Sequence, residues 1–524
     1  MRSYRSKPTP DASVTEAALG AMSADELRSL IRDMLPWFDE ALQARLANEL
    51  VDRAARNGSG WVPEGPTNAT VREVEAFAEA AKRIGYADPS EVDSYLREGS
   101  HAFLGRNYVA AHQIFRALLI PIGDVDIDVG QHEMLDEVLR VDLAACAAQY
   151  VVSMYMTSRP RNRGKAVLSA IDEMRDIGRF WGPLRELERV ATEPLPDFDD
   201  FLSQWKSLVE ERVPEDRNDD WDSDEDRWLR EVVLRTQGPE GLAEVARASK
   251  RAGDLRAWCR ALVEAGDWKG ALTAYVEAAE LVSGKEWARG EFLDGSALAA
   301  QELGRKDLPA RLERAWREAP SMVRLLRWLG SSNTKKVLLG RVIQASAAVS
   351  KQAHRQRALL HVLGGDFTAA AKLLASAKGL GWSSEDHPGH LLFPLFISLL
   401  GGIELPDESA RAYDELSLLS DRDKPQLATP GVADLIRLAG IQAPSHPATR
   451  AAVIKSMRTA AEKRIAGVTE NQRRRHYGHA ASLALACAQV DGSAGGTAWL
   501  EGIRDKYRRY PALQRELGGR KGRA

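Results

Sequence analysis

Cysteine, long apolar runs and net charge are all scarce in this sequence of 524 residues, and each absence excludes a class of protein. The three cysteines, Cys146, Cys259 and Cys487, are far apart and odd in number, which argues against a disulfide framework or a cysteine metal site. No apolar stretch approaches the roughly 18 residues that cross a membrane, and the basic N-terminus lacks the apolar core of a secretory signal. A net charge of −3 argues against a chain-wide field for polyanions. We therefore expect a cytoplasmic protein that has no membrane partner.

Strand patterns and catalytic motifs are also scarce. Residues 124–129 alternate aspartate with valine or isoleucine, as a strand would, and residues 151–156 fit either a strand or a helix. Neither segment has strand partners nearby, so we expect little or no sheet. The sequence contains no G-x-S-x-G elbow, no P-loop and no dinucleotide fingerprint. These absences favour a binding protein over an enzyme that uses a nucleophile.

Apolar residues instead recur with the period of a helix, starting near the N-terminus. Ser23 and Glu26 form a capping box, and the apolar residues of 27–35 then share one helix face. Turn-forming and acidic segments interrupt this pattern. The predicted regions are an N-terminal helical segment (1–65), a helical domain with an acidic insertion (66–212), an acidic linker (213–228), helical repeats (229–400), a Pro/Gly-rich connection (401–447) and a C-terminal helical segment with a basic tail (448–524).

One motif occurs three times: Asp or Asn, an aromatic residue, two positions, an alanine, and a large residue four positions later. It is present at Asn107, Tyr108, Ala111 and Phe115, at Asp267, Trp268, Ala271 and Tyr275, and at Asp366, Phe367, Ala370 and Leu374. A small residue stands twelve positions before each alanine, namely Gly99, Cys259 and Ala358. Asp or Asn in the turn caps the second helix, while the small residues allow two helices to approach closely.

This spacing resembles the tetratricopeptide repeat, a helix-turn-helix unit that stacks into a solenoid. The resemblance implies an irregular all-α solenoid of antiparallel helix pairs, whose groove binds a peptide or protein partner. The three alanines lie 160 and 99 residues apart, and only the second interval is close to three units of about 34 residues. The proline that ends a typical unit is missing from all three, so the array is expected to be irregular.

The C-terminal segment has a second resemblance. Residues 476–488 and 507–517 are similar to the helical end of bacterial proteins that also carry a SWIM zinc finger. The zinc finger's Cys-x-Cys and Cys-x-His pattern is missing from this chain. The resemblance therefore implies helices here, but neither a zinc site nor an activity.

The segment 123–142 is the first candidate for a divalent cation. Asp124, Asp126 and Asp128 alternate, and Glu133 follows soon after, which places carboxylates at the spacing of a calcium loop. The glycine comes one position later than in an EF-hand, and Leu135 occupies the position of its last ligand. We expect a helix before this segment, to about residue 119, and another from about His132. A solvated loop whose apolar residues pack on those helices is the alternative.

Two further segments offer metal ligands. Residues 220–231 place Asp or Glu at loop positions one, three, five and twelve, although Glu225 replaces the required glycine and a helix N-terminus explains the same residues. His387 and His390 form an H-x-x-H pair beside Glu385 and Asp386. Because no third ligand is identified there, a turn before an apolar helix is the competing interpretation.

Basic residues with interleaved tyrosines mark the C-terminal region as a candidate nucleic-acid surface. The arginines are Arg473, Arg474, Arg475, Arg508 and Arg509, with Tyr477, Tyr507 and Tyr510 among them. Such a composition suits phosphate contacts and base stacking. Arginines that complement helix C-termini are the alternative. The sequence thus predicts an interaction scaffold, with a metal-dependent all-α enzyme and a nucleic-acid-binding protein as alternatives.

Overall fold

The structure, a computed structural model, describes residues 12–132, 134–214, 222–282, 286–401 and 426–518. These residues form twenty-five α-helices and no β-strand, apart from one isolated bridge between Tyr86 and Asp128. The prediction of an all-α fold is confirmed. Within the same ranges, no helix combines the length and the apolar character that a membrane crossing requires.

The chain divides into two compact units, Met1–Leu242 (unit 1) and Ala243–Ala524 (unit 2). The helices that lie within unit 1 are α1 (Ala12–Ala21), α2 (Ala24–Met34), α3 (Glu40–Arg56), α4 (Asn68–Ile84), α5 (Pro89–Leu104), α6 (Tyr108–Gly123), α7 (Leu143–Thr157), α8 (Arg163–Glu173), α9 (Pro183–Val190) and α10 (Phe198–Arg212). Helix α5 packs on α6, α6 on α7 and α7 on α8, so successive helices are neighbours. This is the packing of a helical solenoid.

Helix α11 (Asp224–Ser249) is interrupted at Gly238, whose φ of 67° is left-handed. The helices of unit 2 are α12 (Ala252–Glu264), α13 (Trp268–Leu281), α14 (Glu286–Glu302), α15 (Leu308–Glu318), α16 (Met322–Gly330), α17 (Lys335–Ala348), α18 (His354–Leu363), α19 (Phe367–Ser376), α20 (Gly389–Gly401), α21 (Val432–Ala439), α22 (Pro447–Glu470), α23 (Tyr477–Asp491), α24 (Ala494–Lys506) and α25 (Pro511–Leu517). Each helix from α12 to α19 packs on the next. The long helix α22 then packs on both α19 and α23.

Local sequence explains where many of these helices begin. Ser23 and Glu26 form the predicted capping box at the start of α2. In the three repeated motifs, the side chains of Asn107, Asp267 and Asp366 each accept a hydrogen bond from the amide three residues further on, at 3.2, 2.9 and 2.9 Å. The motif therefore marks the start of α6, α13 and α19, because each cap satisfies an amide that has no partner within its helix.

In unit 1 the small residue of the motif allows α5 to approach α6 closely. A methyl group on Gly99 would lie 2.8 Å from Phe115 Cε1 and 3.1 Å from Ile114 Cγ2. Ala111 and Phe115 are fully buried. Tyr108 is half-buried, and its hydroxyl donates to Glu193 at 2.8 Å. The glycine thus makes room for the phenyl ring of the following helix.

In unit 2 the corresponding positions also lie between helices. The fully buried residues are Cys259, Ala271, Ala358 and Ala370. Trp268 packs against Leu272 of its own helix and against Ala299 and Ala300 of α14. Tyr275 is half-buried, and the ring of Phe367 lies 6.5 Å from that of Phe396.

In the segment between α6 and α7, one expectation is wrong, namely the helix from about His132. Helix α6 continues to Gly123, no strand forms at 124–129, and a single 3₁₀ turn at Leu135–Glu137 replaces the helix expected from about His132. The Pro121 carbonyl accepts the amides of both Asp126 and Ile127, at 2.8 and 3.0 Å. The local backbone groups therefore find partners in a turn, so neither a strand nor a helix is needed.

The other predicted connections have mixed outcomes. Residues 57–67 separate α3 from α4, and 151–156 belong to α7. Residues 215–221 of the acidic linker and 402–425 of the Pro/Gly-rich connection lie outside the described residues.

Candidate functional site

A cavity of about 890 Å³ opens within unit 1, and we refer to it as the unit 1 cavity. Side chains from α3, α5, α7 and α9 line it, together with the irregular segment 134–142. Its lining includes five arginines (Arg45, Arg56, Arg97, Arg140 and Arg189) and five acidic residues (Glu49, Asp52, Asp136, Asp142 and Asp176). A volume of this size is typical of a ligand-binding cleft.

Buried Asp93 of α5 holds the irregular wall of the cavity in place. Only 2% of Asp93 is exposed, and its carboxylate accepts the amide of Arg140 at 2.9 and 3.0 Å and that of Val141 at 3.1 Å. The Arg97 guanidinium lies 3.7 Å from the same carboxylate. Because a buried carboxylate requires such partners, the wall has one preferred conformation before any ligand binds.

Arg56 connects α3 with the end of α9 on another side of the cavity. Its guanidinium pairs with Asp52 at 2.8 Å and donates to the Arg189 carbonyl at 2.7 Å. It also lies 3.4 Å from the Ala191 carbonyl. This arginine is thus engaged in positioning two helices.

Four other polar side chains of the lining have no side-chain partner among the described residues. The side chains of Arg45, His101, Asp136 and Asp176 make no hydrogen bond or ion pair with the residues that the structure describes. Arg45 lies on α3, whereas His101 lies on α5 together with Arg97, four residues earlier. Positions four residues apart share a helix face, so Arg97 and His101 line the cavity side by side.

The side chains of Cys146 and Gln149 on α7 contribute polar atoms that are largely buried. Burial raises the pKa of the Cys146 thiol to about 12, so the thiol stays protonated at neutral pH and is a poor nucleophile. Gln149 is only 4% exposed, and its buried Oε1 accepts no hydrogen bond. A buried acceptor without a donor is costly.

The aspartates proposed as cation ligands are not part of the cavity lining. Asp124, Asp126 and Asp128 are exposed, and Asp128 Oδ1 accepts the Gly130 amide at 2.7 Å. Glu133 lies outside the described residues. Among the residues described, no three His, Cys, Asp or Glu side chains converge as a metal site would require. Cation binding here stays a prediction.

The acidic run at 220–231 has structural partners. Asp220 lies outside the described residues, whereas Asp222 pairs with Arg230 at 2.7 Å. Glu231 accepts the amides of Leu184 and Arg185 at 3.0 and 2.9 Å, at the start of α9. A carboxylate at a helix N-terminus is stabilising without any metal.

His387 and His390 lie in unit 2 around the indole of Trp382. Their ring centroids are 4.4 and 5.3 Å from that of Trp382, and His479 of α23 lies 5.0 Å from it. The Gly389 amide donates to His387 Nδ1 at 3.1 Å, and His390 Nε2 donates to the Trp382 carbonyl at 3.0 Å. The sequence spacing predicted that His387 and His390 lie together. It did not predict that His479 and the Trp382 indole join them.

Burial keeps this histidine cluster neutral. It lowers the pKa of His387 and of His479 to about 4, and it also lowers the pKa of His390. Nearby cations, among them Arg355 and the buried Arg464, act in the same direction. The three histidines are uncharged at neutral pH and lie around the Trp382 indole, so they form part of the core of unit 2.

The basic C-terminal residues are at the surface of unit 2. Arg473, Arg474 and Arg475 are exposed at the turn between α22 and α23, and Arg508 and Arg509 are exposed after α24. Of these, Arg508 has a carboxylate nearby, that of Asp505 at 3.9 Å. The rings of Tyr507 and Tyr510 lie 6.1 Å apart, and the tail 519–524 lies outside the described residues.

Comparisons with known proteins add little to this description. No protein-family model matches the chain, and no curated protein matches it. Among solved structures, the chain is similar to a circular tandem repeat protein with novel repeat topology and enhanced subunit contact surfaces, at 15% identity over 94% of each chain, with a TM-score of 0.17. A superposition this poor carries no argument, so the fold assignment depends on the helices themselves. The resemblance of the C-terminal segment to SWIM-containing proteins stays a prediction.

Proposed function

We propose that this chain is a helical-repeat scaffold that binds a segment of a partner protein in the unit 1 cavity. The observation that carries the proposal is the cavity itself, with its volume of about 890 Å³ and its charged walls. Stacked helix pairs commonly present such concave surfaces to peptides.

The rigidity of the cavity supports a binding role. Asp93 fixes the irregular wall through two backbone amides, and Arg56 joins α3 to the carbonyl of Arg189. A preformed site loses little conformational entropy when a ligand binds, so more of the interaction energy remains as affinity. The protonated thiol of Cys146 also favours binding over nucleophilic chemistry.

Affinity purification from the native host tests the proposal. The wild-type chain is compared with an Arg45→Ala, Arg97→Ala double variant and with Arg83→Ala, which removes an exposed arginine of α4 outside the cavity lining. We expect at least one partner that the wild type and Arg83→Ala retain and that the double variant loses. Partners that bind all three proteins equally would refute a role for the cavity.

A nucleic-acid-binding function is the second candidate, and the exposure of Arg473–475, Arg508 and Arg509 favours it. It requires binding to single-stranded RNA or DNA that weakens steeply with salt, because phosphate contacts release counterions. Removal of residues 504–524 should abolish that binding. Binding that survives the truncation would exclude Arg508, Arg509 and the basic tail as the binding surface.

A further inference from the structure

The five arginines and five acidic residues of the unit 1 cavity balance in formal charge. They differ in the hydrogen bonds and ion pairs that they already make within the protein. Asp52 pairs with Arg56 at 2.8 Å, and Glu49 pairs with Arg53 at 2.5 Å. Asp142 accepts the Ala145 amide at 2.9 Å as the cap of α7. Three of the five acidic groups are therefore occupied, which leaves Asp136 and Asp176.

Among the basic groups, Arg56 pairs with Asp52 and Arg189 pairs with Glu186 at 2.7 Å, whereas the others retain binding capacity. Arg45 and His101 have no partner among the described residues, and Arg97 only approaches Asp93, whose oxygens already accept two amides. Arg140 pairs at 3.3 Å with Glu40, whose side chain is 83% exposed. A guanidinium carries five N–H donors, so one contact leaves most of them available for an incoming anion.

The placement of these nitrogen donors suits a carboxylate. Arg97 and His101 are four residues apart on α5, with Ser100 beside them in the cavity lining. Arg45 contributes from α3, a separate element of the wall. Two elements thus direct nitrogen donors into one cavity, and charge-assisted hydrogen bonds to a carboxylate are stronger than those between neutral groups.

Gln149 restricts the class of ligand further. Its buried Oε1 needs a hydrogen-bond donor, which a monatomic anion such as chloride cannot supply. A peptide supplies backbone N–H groups together with carboxylate side chains. Both unmet requirements of the cavity are then satisfied by one kind of molecule.

We propose that the segment bound in the unit 1 cavity is an acidic peptide, whose carboxylates contact Arg45, Arg97 and His101 and whose backbone donates to Gln149. This inference rests on the proposed scaffold function and specifies the chemistry of the partner. It predicts that charge, more than apolar content, decides which segments bind.

Fluorescence anisotropy with defined peptides tests this inference on the full chain. The probes are fluorescein-labelled peptides of equal length in which serine alternates with glutamate, lysine or glutamine, and unlabelled inorganic phosphate is the competitor. We expect the glutamate peptide to bind at least about tenfold more tightly than the others, and to weaken as NaCl rises from about 0.05 to about 0.5 M. Phosphate should displace it poorly.

Variants connect the binding to the cavity. Arg45→Ala removes an exposed arginine without an ion pair, so its fold should be intact, and we expect about tenfold weaker binding of the glutamate peptide. Arg97→Ala should act similarly, whereas the control Arg83→Ala should leave affinity unchanged.

Three outcomes would overturn the inference: equal affinity for the lysine or glutamine peptide, full displacement by phosphate, or unchanged affinity in both cavity variants. A host partner that depends on the cavity, found together with a glutamate peptide that does not bind, would refute the acidic peptide and leave the scaffold proposal standing.

Discussion

Units 1 and 2 share one helix-pair motif but use the chain that follows it in opposite ways. After the motif at Asn107, unit 1 has the irregular segment 124–142. Buried Asp93 accepts the Arg140 amide of this segment, and part of the segment lines a cavity. After the motif at Asp366, unit 2 has a short connection that buries the Trp382 indole among three histidines. The connection held by the Asp93 carboxylate thus borders a cavity, whereas the connection filled by the Trp382 ring is part of the core.

The largest expected effect is the loss of the carboxylate that holds the unit 1 wall. Asp93→Ala leaves the amides of Arg140 and Val141 without an acceptor, and each unpaired buried amide costs about 1 to 3 kcal/mol, so we expect a loss of about 3 kcal/mol. Asp142→Ala, which removes an exposed cap, should cost about 1 kcal/mol. Urea denaturation of both variants provides the comparison, and equal losses would contradict the role of Asp93.

The second expected effect is a loss of stability at acid pH, caused by protonation of the histidine cluster of unit 2. The pKa of His387 and of His479 is about 4 in the folded chain and about 6.5 without the burial, so the unfolded chain binds more protons between these values. The stabilisation is therefore complete above about pH 6.5 and declines as the pH falls towards 4, by about 2 kcal/mol for each of the two histidines at pH 5.

Melting temperatures at a series of pH values measure this decline. The variant His387→Phe, His479→Leu should show a smaller fall in Tm between neutral pH and pH 5 than the wild type. The variant His101→Gln, which changes a histidine of unit 1, should follow the wild-type profile. Identical slopes in all three proteins would mean that the cluster does not govern acid sensitivity.

A third comparison tests the close contact between α5 and α6. Gly99→Ala places a methyl group against the Phe115 ring, so overpacking should outweigh the better helix propensity and cost about 1 kcal/mol net. Gly340→Ala in α17 meets no atom within 4 Å and should stabilise by about 0.5 to 1 kcal/mol. Opposite signs in thermal denaturation are the expected result, and a gain from both changes would contradict the packing argument.

The smallest expected effect on stability comes from replacing Gln149, whose side-chain oxygen has no hydrogen-bond donor among the described residues. Gln149→Leu keeps a similar volume and removes the buried acceptor that has no donor, so we expect a gain of about 1 kcal/mol in unfolding free energy. The same change should weaken binding of the glutamate peptide. Calorimetry and anisotropy on one preparation measure both effects, and a loss of stability with unchanged affinity would assign Gln149 a structural role only.

Much of the fold could be predicted because its signals are local. Asp267 and Asp366 cap helices that begin where the motif places them, and Ser23 with Glu26 forms its capping box. The helix expected from about His132 was wrong, and there the amides of Arg140 and Val141 pair with a distant carboxylate. Asp93 precedes the amides that it accepts by 47 and 48 residues, and no periodicity reports such a contact.

The candidate site was less predictable than the fold. The unit 1 cavity combines Arg45, Arg97 and Arg189, which come from three helices far apart in the sequence. Only the spacing of Arg97 and His101 offered a local signal. In unit 2, the H-x-x-H pair was visible, but His479 joins it from a helix that begins nearly ninety residues further along the chain.

The reactivity of the three buried thiols can report how often the helices around each of them separate. Cys146 lies in unit 1, while Cys259 and Cys487 lie in unit 2, and none is more than 2% exposed. Burial raises the pKa of all three, so an alkylating reagent should react only when the surrounding helices separate. Mass spectrometry of the labelled peptides would then time the opening of each unit separately in the native protein, without any engineered probe.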